Sequence, residues 1–456
     1  MNDTIRFLSV PLPEDIKQSI FAGQHQAAFS LIQSRLASLT GEADEPLRRR
    51  LELEKARLAL LPQEYPYSRQ EALSLIRRTI PDFSEEEFNA LETAGRIDFL
   101  FLDGQKRYFH RFWETLTATH PDLAERSDPA LVTESRAKSA FRNRTIQLLK
   151  ERGELKYRIH LKAGLRVRDE HFIPGSDLLV HLPVPKESCP TCNVRILNAS
   201  HRPLCLCAQD APARTVSFRE RLQENAAFWV EYEYHSIIRY IQPDPDRISD
   251  SQPCFDTGQL PPHIRFTPYL RELTAAVAGQ EPNPLLKAKR IYSYITSQVK
   301  YSYMRDYFLI DDIAEYCAIN KKGDCGVQAL LFITMCRIAG IPARWQSGLS
   351  VTPASVGPHD WAQFFLAPYG WLHADLSFGG SAFRAGDTER QDFYFGNLDP
   401  FRMVANTEFQ APLFPEKKGL RADPYDNQVG EAEMDGVGLN GNQFEYFQKI
   451  CDVHSF

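Results

Sequence analysis

The pattern of apolar and polar positions divides the chain into segments of different period. Gln24 to Leu39 and Leu47 to Leu61 place apolar residues three and four apart, the spacing of one helix face. Two further starts carry capping boxes, Ser68-x-x-Glu71 and Ser84-x-x-Glu87. In each, the Ser oxygen can accept an early backbone N–H while the Glu reaches back to the cap. Residues 1–135 are therefore predicted to form a helical domain, suited to docking or scaffolding and without visible chemistry. From about residue 154 the period shortens to two. Tyr157–Leu161, Leu178–Leu182, Thr215–Phe218 and Phe228–Tyr232 are rich in β-formers and separated by Pro and Gly. Short strands with regular turn signals predict a β-sandwich-like domain over 150–240.

Residues 240–262 are rich in Pro, Asp and Ser and read as a linker. The third region, 262–415, mixes both periods. Asn283-Pro284 opens an amphipathic helix from Leu285 to Val299. A second helix runs from Asp324 to Ala339, with Asp324 as N-cap, Gly340 just past its end and Pro342 blocking continuation. Trp361–Ala367 and Trp371–Leu376, with Pro368-Tyr369-Gly370 between them, predict a hairpin. Residues 416–456 turn polar and Gly-rich and read as a loose tail, with a short helix at Phe444–Cys451. The predicted class is multidomain α+β.

Charge narrows the function. The formal net charge is -6, and the basic run Arg48–Arg50 is followed at once by Glu52 and Glu54. No basic face for a nucleic acid is visible. The start lacks a basic leader with an apolar core, and no apolar run approaches the ~18 residues of a spanning helix. Nine cysteines, an odd number, are scattered unevenly. A reducing compartment with one reactive thiol fits this usage, which predicts a cytoplasmic protein that binds neither nucleic acid nor membrane.

The reactive thiol is Cys325. It follows the predicted cap of a helix, where partial positive charge favours thiolate and free N–H groups can bind an oxyanion. Gly323 and Gly326 leave room beside it, while the anionic Asp324 opposes its ionisation. A thiol nucleophile needs a base, and the base needs an orienting group. His359 opens the first hairpin strand and Asp375 ends the second, which completes a Cys-His-Asp set. A turn centred on Tyr369 pairs Asp375 with Gln363, four residues from His359, so an offset or bulge is expected. His373 competes for the role of base.

The run Gly323-Asp324-Cys325-Gly326-Val327-Gln328-Ala329-Leu330 resembles the nucleophile segment of the transglutaminase-like superfamily. Arg337-Ile338-Ala339-Gly340-Ile341-Pro342-Ala343-Arg344 is similar to that family's helix end. His359 with Trp361, Gly370 with Trp371, and Asp375 follow in the family's order. The blocks span about residues 285–380, under a quarter of the chain. The resemblance implies a papain-like α+β core and attack by Cys on a carboxamide, with a thioester released to water or an amine. No cofactor is required for this chemistry, and no calcium-site pattern is present. Asp360 departs from the family, which carries a small or apolar residue after the His. The second oxyanion donor does not map, with Gln298, Tyr301 and Tyr303 as candidates.

Trp345, Trp361 and Trp371 are candidates to line a substrate groove, with core packing as the competing role. Cys189-x-x-Cys192 and Cys205-x-Cys207 supply four thiols, enough for a closed structural zinc site. The expected function is a cysteine enzyme acting on peptide or side-chain amides of a peptide or protein substrate, by hydrolysis rather than crosslinking. The alternative is a binding or scaffold protein that retains the fold, stabilised by zinc.

Overall fold

The computed structural model describes residues 5–456, which divide into two compact units. The first holds the residues up to Phe141 together with Tyr301–Asp311. Its helices are α1 (Glu14–Phe21), α2 (His25–Ser38), α3 (Glu45–Glu64), α4 (Arg69–Arg77), α5 (Glu85–Thr93), α6 (Phe112–Thr119), α7 (Pro121–Ser127) and the start of α8 (Pro129–Arg152). Both capping boxes form: Ser68 accepts from Glu71 N–H and Ser84 from Glu87 N–H. The helical period was legible because each helix buries one stripe, as with Ala72, Leu73 and Ile76 on α4. One β-hairpin, β1 (Phe99–Leu102) with β2 (Gln105–Tyr108), interrupts the helices. The segment 301–311, which the sequence grouped with the third region, contributes Leu309 to this helical core.

The second unit comprises Arg142–Lys300 and Asp312–Phe456. Strands β3 (Glu154–Val167), β4 (Asp177–Pro183), β5 (Thr191–Ala199), β6 (Cys205–Leu206), β7 (Thr215–Arg221) and β8 (Phe228–Arg239) form its sandwich. All four predicted strand segments lie within these elements. Next come α9 (Pro268–Ala278), α10 (Pro284–Gln298), the two-residue strand β9 (Lys300–Tyr301), α11 (Ile313–Asn320), the short β10 (Lys322–Gly323) and α12 (Cys325–Ile338). Strands β11 (Ala343–Thr352), β12 (Ser355–Leu366) and β13 (Gly370–Ala374) lead to α13 (Leu376–Arg384) and α14 (Thr388–Phe393). With β14 (Phe395–Gly396) and β15 (Arg402–Asn406) they make an antiparallel sheet in the order β14-β13-β12-β11-β15.

Helix α12 is the pillar of this core. Every residue from Gly326 to Cys336 is buried, so its apolar sequence has no polar face and it packs against α11 and β12. Each fully buried Leu or Phe there contributes about 1.5–3 kcal/mol of transfer free energy. Gly323, just before it, allows a close approach: a Cβ there would meet Val327 Cγ1 at 2.5 Å.

The C-terminal segment is not a loose tail. Residues 431–455 supply β16 (Glu431–Met434), β17 (Val437–Gly438) and β18 (Phe444–Ser455) to the sandwich. One sheet runs β18-β3-β8-β5 and the other β17-β16-β4-β7-β6. The predicted helix at Phe444–Cys451 is thus a strand, paired with β3 from Phe444↔Val167 to Ser455↔Tyr157. Its partner lies nearly 300 residues earlier, so no local signal could reveal the pairing; tertiary hydrogen bonding overrides the local pattern. The sandwich core, including Val180, Val216, Phe218 and Tyr232, is continuous with Leu349, Val351 and Met403 of the antiparallel sheet. Among the described residues no helix is long and apolar enough to cross a membrane.

Candidate active site

Cys325 is the first residue of α12. The Asp324 carboxylate accepts from Val327 N–H at 3.1 Å, which fixes the cap as expected. Gln328 donates to the Gly323 carbonyl at 2.7 Å and ties the turn before the cysteine to the helix. The thiol thus sits at the positive end of a 14-residue helix.

His359 and Asp375 meet directly. His359 Nε2 lies 2.7 Å from Asp375 Oδ2, and both are buried. No bulge is needed. The hairpin pairs Gln363 with His373 and Leu366 with Gly370, a register two residues away from one centred on Tyr369. Asp375, one residue past β13, therefore stands near the level of Trp361 and reaches diagonally to His359. Asp375 is also the N-cap of α13: its Oδ1 accepts from Phe378 N–H at 3.0 Å and from Ser377 Oγ at 3.3 Å. Gly379 lets that helix close on α10, since a Cβ would fall 1.8 Å from Tyr292 Oη. His373 is excluded as the partner of Asp375. It faces Gln363, and burial pushes its imidazole down to about 3, so it is neutral at any physiological pH.

A third group completes the pair and was not visible in sequence. Arg402, fully buried on β15, donates from Nη2 to Asp375 Oδ2 at 2.8 Å and from Nη1 to Asp399 Oδ1 at 2.9 Å. Burial alone would raise the Asp375 pKa, but the charges and hydrogen bonds of His359 and Arg402 outweigh it and hold the carboxylate far below its usual range. Its remaining lone pairs are engaged, so it can fix His359 in one orientation. The His359 ring is wedged against Phe378, with centroids 4.6 Å apart, and over Trp361 at 5.9 Å. With Nε2 engaged by Asp375, Nδ1 is the nitrogen left to take a thiol proton.

The thiol itself turns toward Asp360, the residue that departs from the family pattern. Cys325 Sγ donates to Asp360 Oδ2 at 3.2 Å. Burial first, then the charges of Asp360 and Asp324, push the thiol pKa well up, against a smaller opposing effect from the Asp360 backbone. The Asp360 carboxyl is pushed up to about 8 by burial and by Asp324. Gln428 anchors it from the segment read as tail: Gln428 Nε2 donates to Asp360 Oδ1 at 2.6 Å and to the His359 carbonyl at 3.0 Å. The nearby Asp426 carboxyl is raised as well, by burial, Asp423 and Asp360. The protonated thiol is thus favoured despite the helix end, and Asp360 joins Asp324, the anion already expected to oppose ionisation.

This arrangement makes a prediction. Asp360→Asn removes the repelling charge while keeping an acceptor for Gln428, so the alkylation midpoint of Cys325 should move down in pH. Each unit gives about tenfold faster labelling between about pH 8, above which Asp360 is ionised, and the two midpoints. Iodoacetamide labelling followed by peptide mass mapping measures it. A midpoint that stays where it was would remove Asp360 from the account.

The other site candidates are distributed differently. Trp361 and Trp345 are buried, and Trp361 donates its indole N–H to Gln346 at 2.7 Å. Both are core side chains on the adjacent central strands β11 and β12. Trp371 is half-buried beneath the Arg344 guanidinium and packs on Phe255 and Phe365. Gln298 is exposed at the end of α10. The four cysteines of the expected zinc site do not converge. Cys192 lies on β5 of one sheet and Cys205 on β6 of the other, and no three of the four thiols come within 4.8 Å of one another. The CxxC and CxC halves are carried by strands of opposite layers, a placement that spacing along the chain cannot show.

The profile of the transglutaminase-like superfamily matches residues 271–376. The chain carries a transglutaminase-like domain. That domain contains Cys325, His359 and Asp375, whereas Arg402 and Gln428 lie beyond its matched limit. A curated relative, an uncharacterized protein of Haemophilus influenzae, is 27% identical over 141 residues, covering 25% of this chain and 37% of that protein. The chain thus spans little more than a third of the length of the curated relative it matches. Among solved structures, a candidate cysteine protease from Cytophaga hutchinsonii is similar at 16% identity and a TM-score of 0.43, over 66% of this chain and 91% of that one. The periplasmic domain of TgpA from Pseudomonas aeruginosa is similar at 16% identity and a TM-score of 0.28, over 54% of this chain and 95% of that one.

Proposed function

We propose that the transglutaminase-like domain is a cysteine enzyme acting on peptide or side-chain amides, with Cys325 as nucleophile, His359 as base and Asp375 as the group that orients it. The observation that carries this is the buried His359–Asp375 contact of 2.7 Å, backed by Arg402, in a domain whose Cys325 opens a helix and reaches Asp360, the next residue after His359. Such a pair has little use in a protein that only binds, because its geometry costs burial of three charged groups. In the reaction, substrate binding displaces the thiol from Asp360. Its proton passes to His359 Nδ1, sulfur attacks the amide carbon, and N–H groups of the first turn of α12 stabilise the oxyanion. The tetrahedral adduct collapses as the amine departs with the proton from His359, leaving a thioester. Water then attacks with His359 again as base, restoring acid product and thiol.

Hydrolysis is favoured over crosslinking, since water is always available and no motif in the sequence marks a site for an amine acceptor. The substrate is a peptide or protein, and the compartment proposed from cysteine usage is the cytoplasm. Incubation of the full chain with a glutamine-containing peptide, with and without a primary amine, tests the reading. An acid-stable acyl adduct on Cys325, ammonia release or peptide cleavage, and loss of all three in Cys325→Ala are the expected results. Amine incorporation would replace hydrolysis by transfer. If a panel of peptides leaves no adduct on Cys325 and no product, the domain is a binding module that keeps the fold.

A further inference from the structure

The outer face of the β18-β3-β8-β5 sheet carries a second cluster of reactive side chains, apart from the thiol site. His160 on β3, Glu231 on β8 and Cys451 on β18 place a ring nitrogen, a carboxylate oxygen and a sulfur all within 4.8 Å of one another. These three strands are adjacent, with β3 in the middle. His160 Nε2 lies 2.7 Å from Glu231 Oε1, a diagonal contact, because Glu231 pairs across the strands with Lys162.

Cys451 reaches this group through a break in the ladder. Ile450 pairs with Leu161 and Asp452 with His160, which leaves Cys451 as the extra residue of a β-bulge. A bulge re-aims one side chain, and here the thiol it presents stands beside the imidazole. In an unbroken ladder Cys451 would itself pair with His160 and the alternation beyond it would reverse.

The charges on this face also single out Glu231. Glu233 is paired with Arg195 at 2.6 Å and with Arg158 at 3.6 Å, and Asp452 with His454 at 2.7 Å and Arg158 at 3.5 Å. Glu231 has His160 as its ion-pair partner and no Lys or Arg among the described residues. The Lys162 ammonium sits 3.4 Å over the Trp229 ring. Lys162 and Lys449 act to lower the Cys451 pKa, although burial and Glu231 raise it on balance.

We propose that His160, Glu231 and Cys451 form a binding site for a divalent transition ion, with zinc as the best chemical match. One imidazole, one carboxylate and one thiolate are a donor set that zinc accepts at about 2.0–2.3 Å, and hard ions such as magnesium or calcium disfavour sulfur. Three protein ligands leave one tetrahedral position for water or an external donor. The bound ion replaces the His160–Glu231 hydrogen bond, takes the thiol as thiolate with release of one proton, and pins the C-terminal strand to the two strands beside it. This site is independent of the amide chemistry and of the four cysteines between 189 and 207.

Cobalt(II) chloride added to the metal-free full chain is the probe. A thiolate-to-cobalt charge-transfer band saturating at one equivalent, displaced by zinc chloride, is expected. Cys451→Ser should abolish the band and His160→Gln should weaken cobalt binding at least tenfold, with circular dichroism unchanged. Cys189→Ser with Cys192→Ser should leave the band intact. Zinc chloride should raise the melting temperature of the parent and not of Cys451→Ser. The absence of a band, or one that survives Cys451→Ser, overturns the site; loss of the band only with the 189 and 192 pair would assign the metal there instead.

Discussion

Replacing Arg402 by Met should cost about 3–5 kcal/mol of folding stability, the largest single loss expected in this chain. The guanidinium is fully buried between Asp375 and Asp399, at 2.8 and 2.9 Å, and both carboxylates are themselves buried. Removing the cation leaves Asp399 with hydrogen bonds from Tyr394 Oη and Phe401 N–H, and leaves Asp375 with His359, Phe378 N–H and Ser377 Oγ. The pH dependence identifies the cause. In the parent the folded pKa of Asp375 is depressed, so its contribution is complete above the unfolded value of about 3.9 and is lost as pH falls toward the folded value. Without Arg402 that depression shrinks, and the stability gap between parent and variant should narrow as pH drops below about 4. Urea unfolding across an acid pH series measures both. A constant gap would make the loss one of packing, since Arg402 also lies 4.5 Å over the Phe378 ring.

Asp375→Asn should lower the rate of Cys325 acylation by roughly 10³–10⁴-fold, the scale on which a triad loses its orienting carboxylate. The amide has a single acceptor oxygen with no charge. It cannot serve His359, Arg402, Phe378 N–H and Ser377 at once, as Asp375 does through two oxygens. An Asn can still cap α13, so the helix should persist. The defect should appear in kcat rather than KM, because Asp375 is fully buried and does not face a ligand. Single-turnover acylation by a glutamine peptide reads it directly. A variant that acylates within tenfold of the parent would show that His359 is oriented by other contacts.

Much of the site was legible because its groups answer local rules. Asp324 had to cap a helix that Gly340 and Pro342 close, and that alone put Cys325 at its first position. The hairpin around Pro368 to Gly370 brought His359 and Asp375 to neighbouring strands, through the offset of two residues that a turn centred on Tyr369 had left to be supplied. Asp360 was visible as a departure from the family, but its effect on the thiol depends on how it is oriented in the fold. Arg402 and Gln428 gave no signal: each is a lone polar residue, and their roles come from β15 and the C-terminal segment returning to the site.

The sequence by itself determined the capped helices, the four strand segments between 157 and 232, the helix that presents Cys325 and the three residues of the proposed triad, but not the strands after residue 430. These depend on periodicity, caps and turns, which act within a few residues. The tertiary structure alone decided that the thiol rests on Asp360, that Arg402 locks Asp375, that Trp345 and Trp361 are core, and that the last strand completes the sandwich beside residues 154–167. Those outcomes depend on burial and on pairing between distant segments. The first raises the free energy of an unpaired charge, and the second is set by which strands meet across the whole fold.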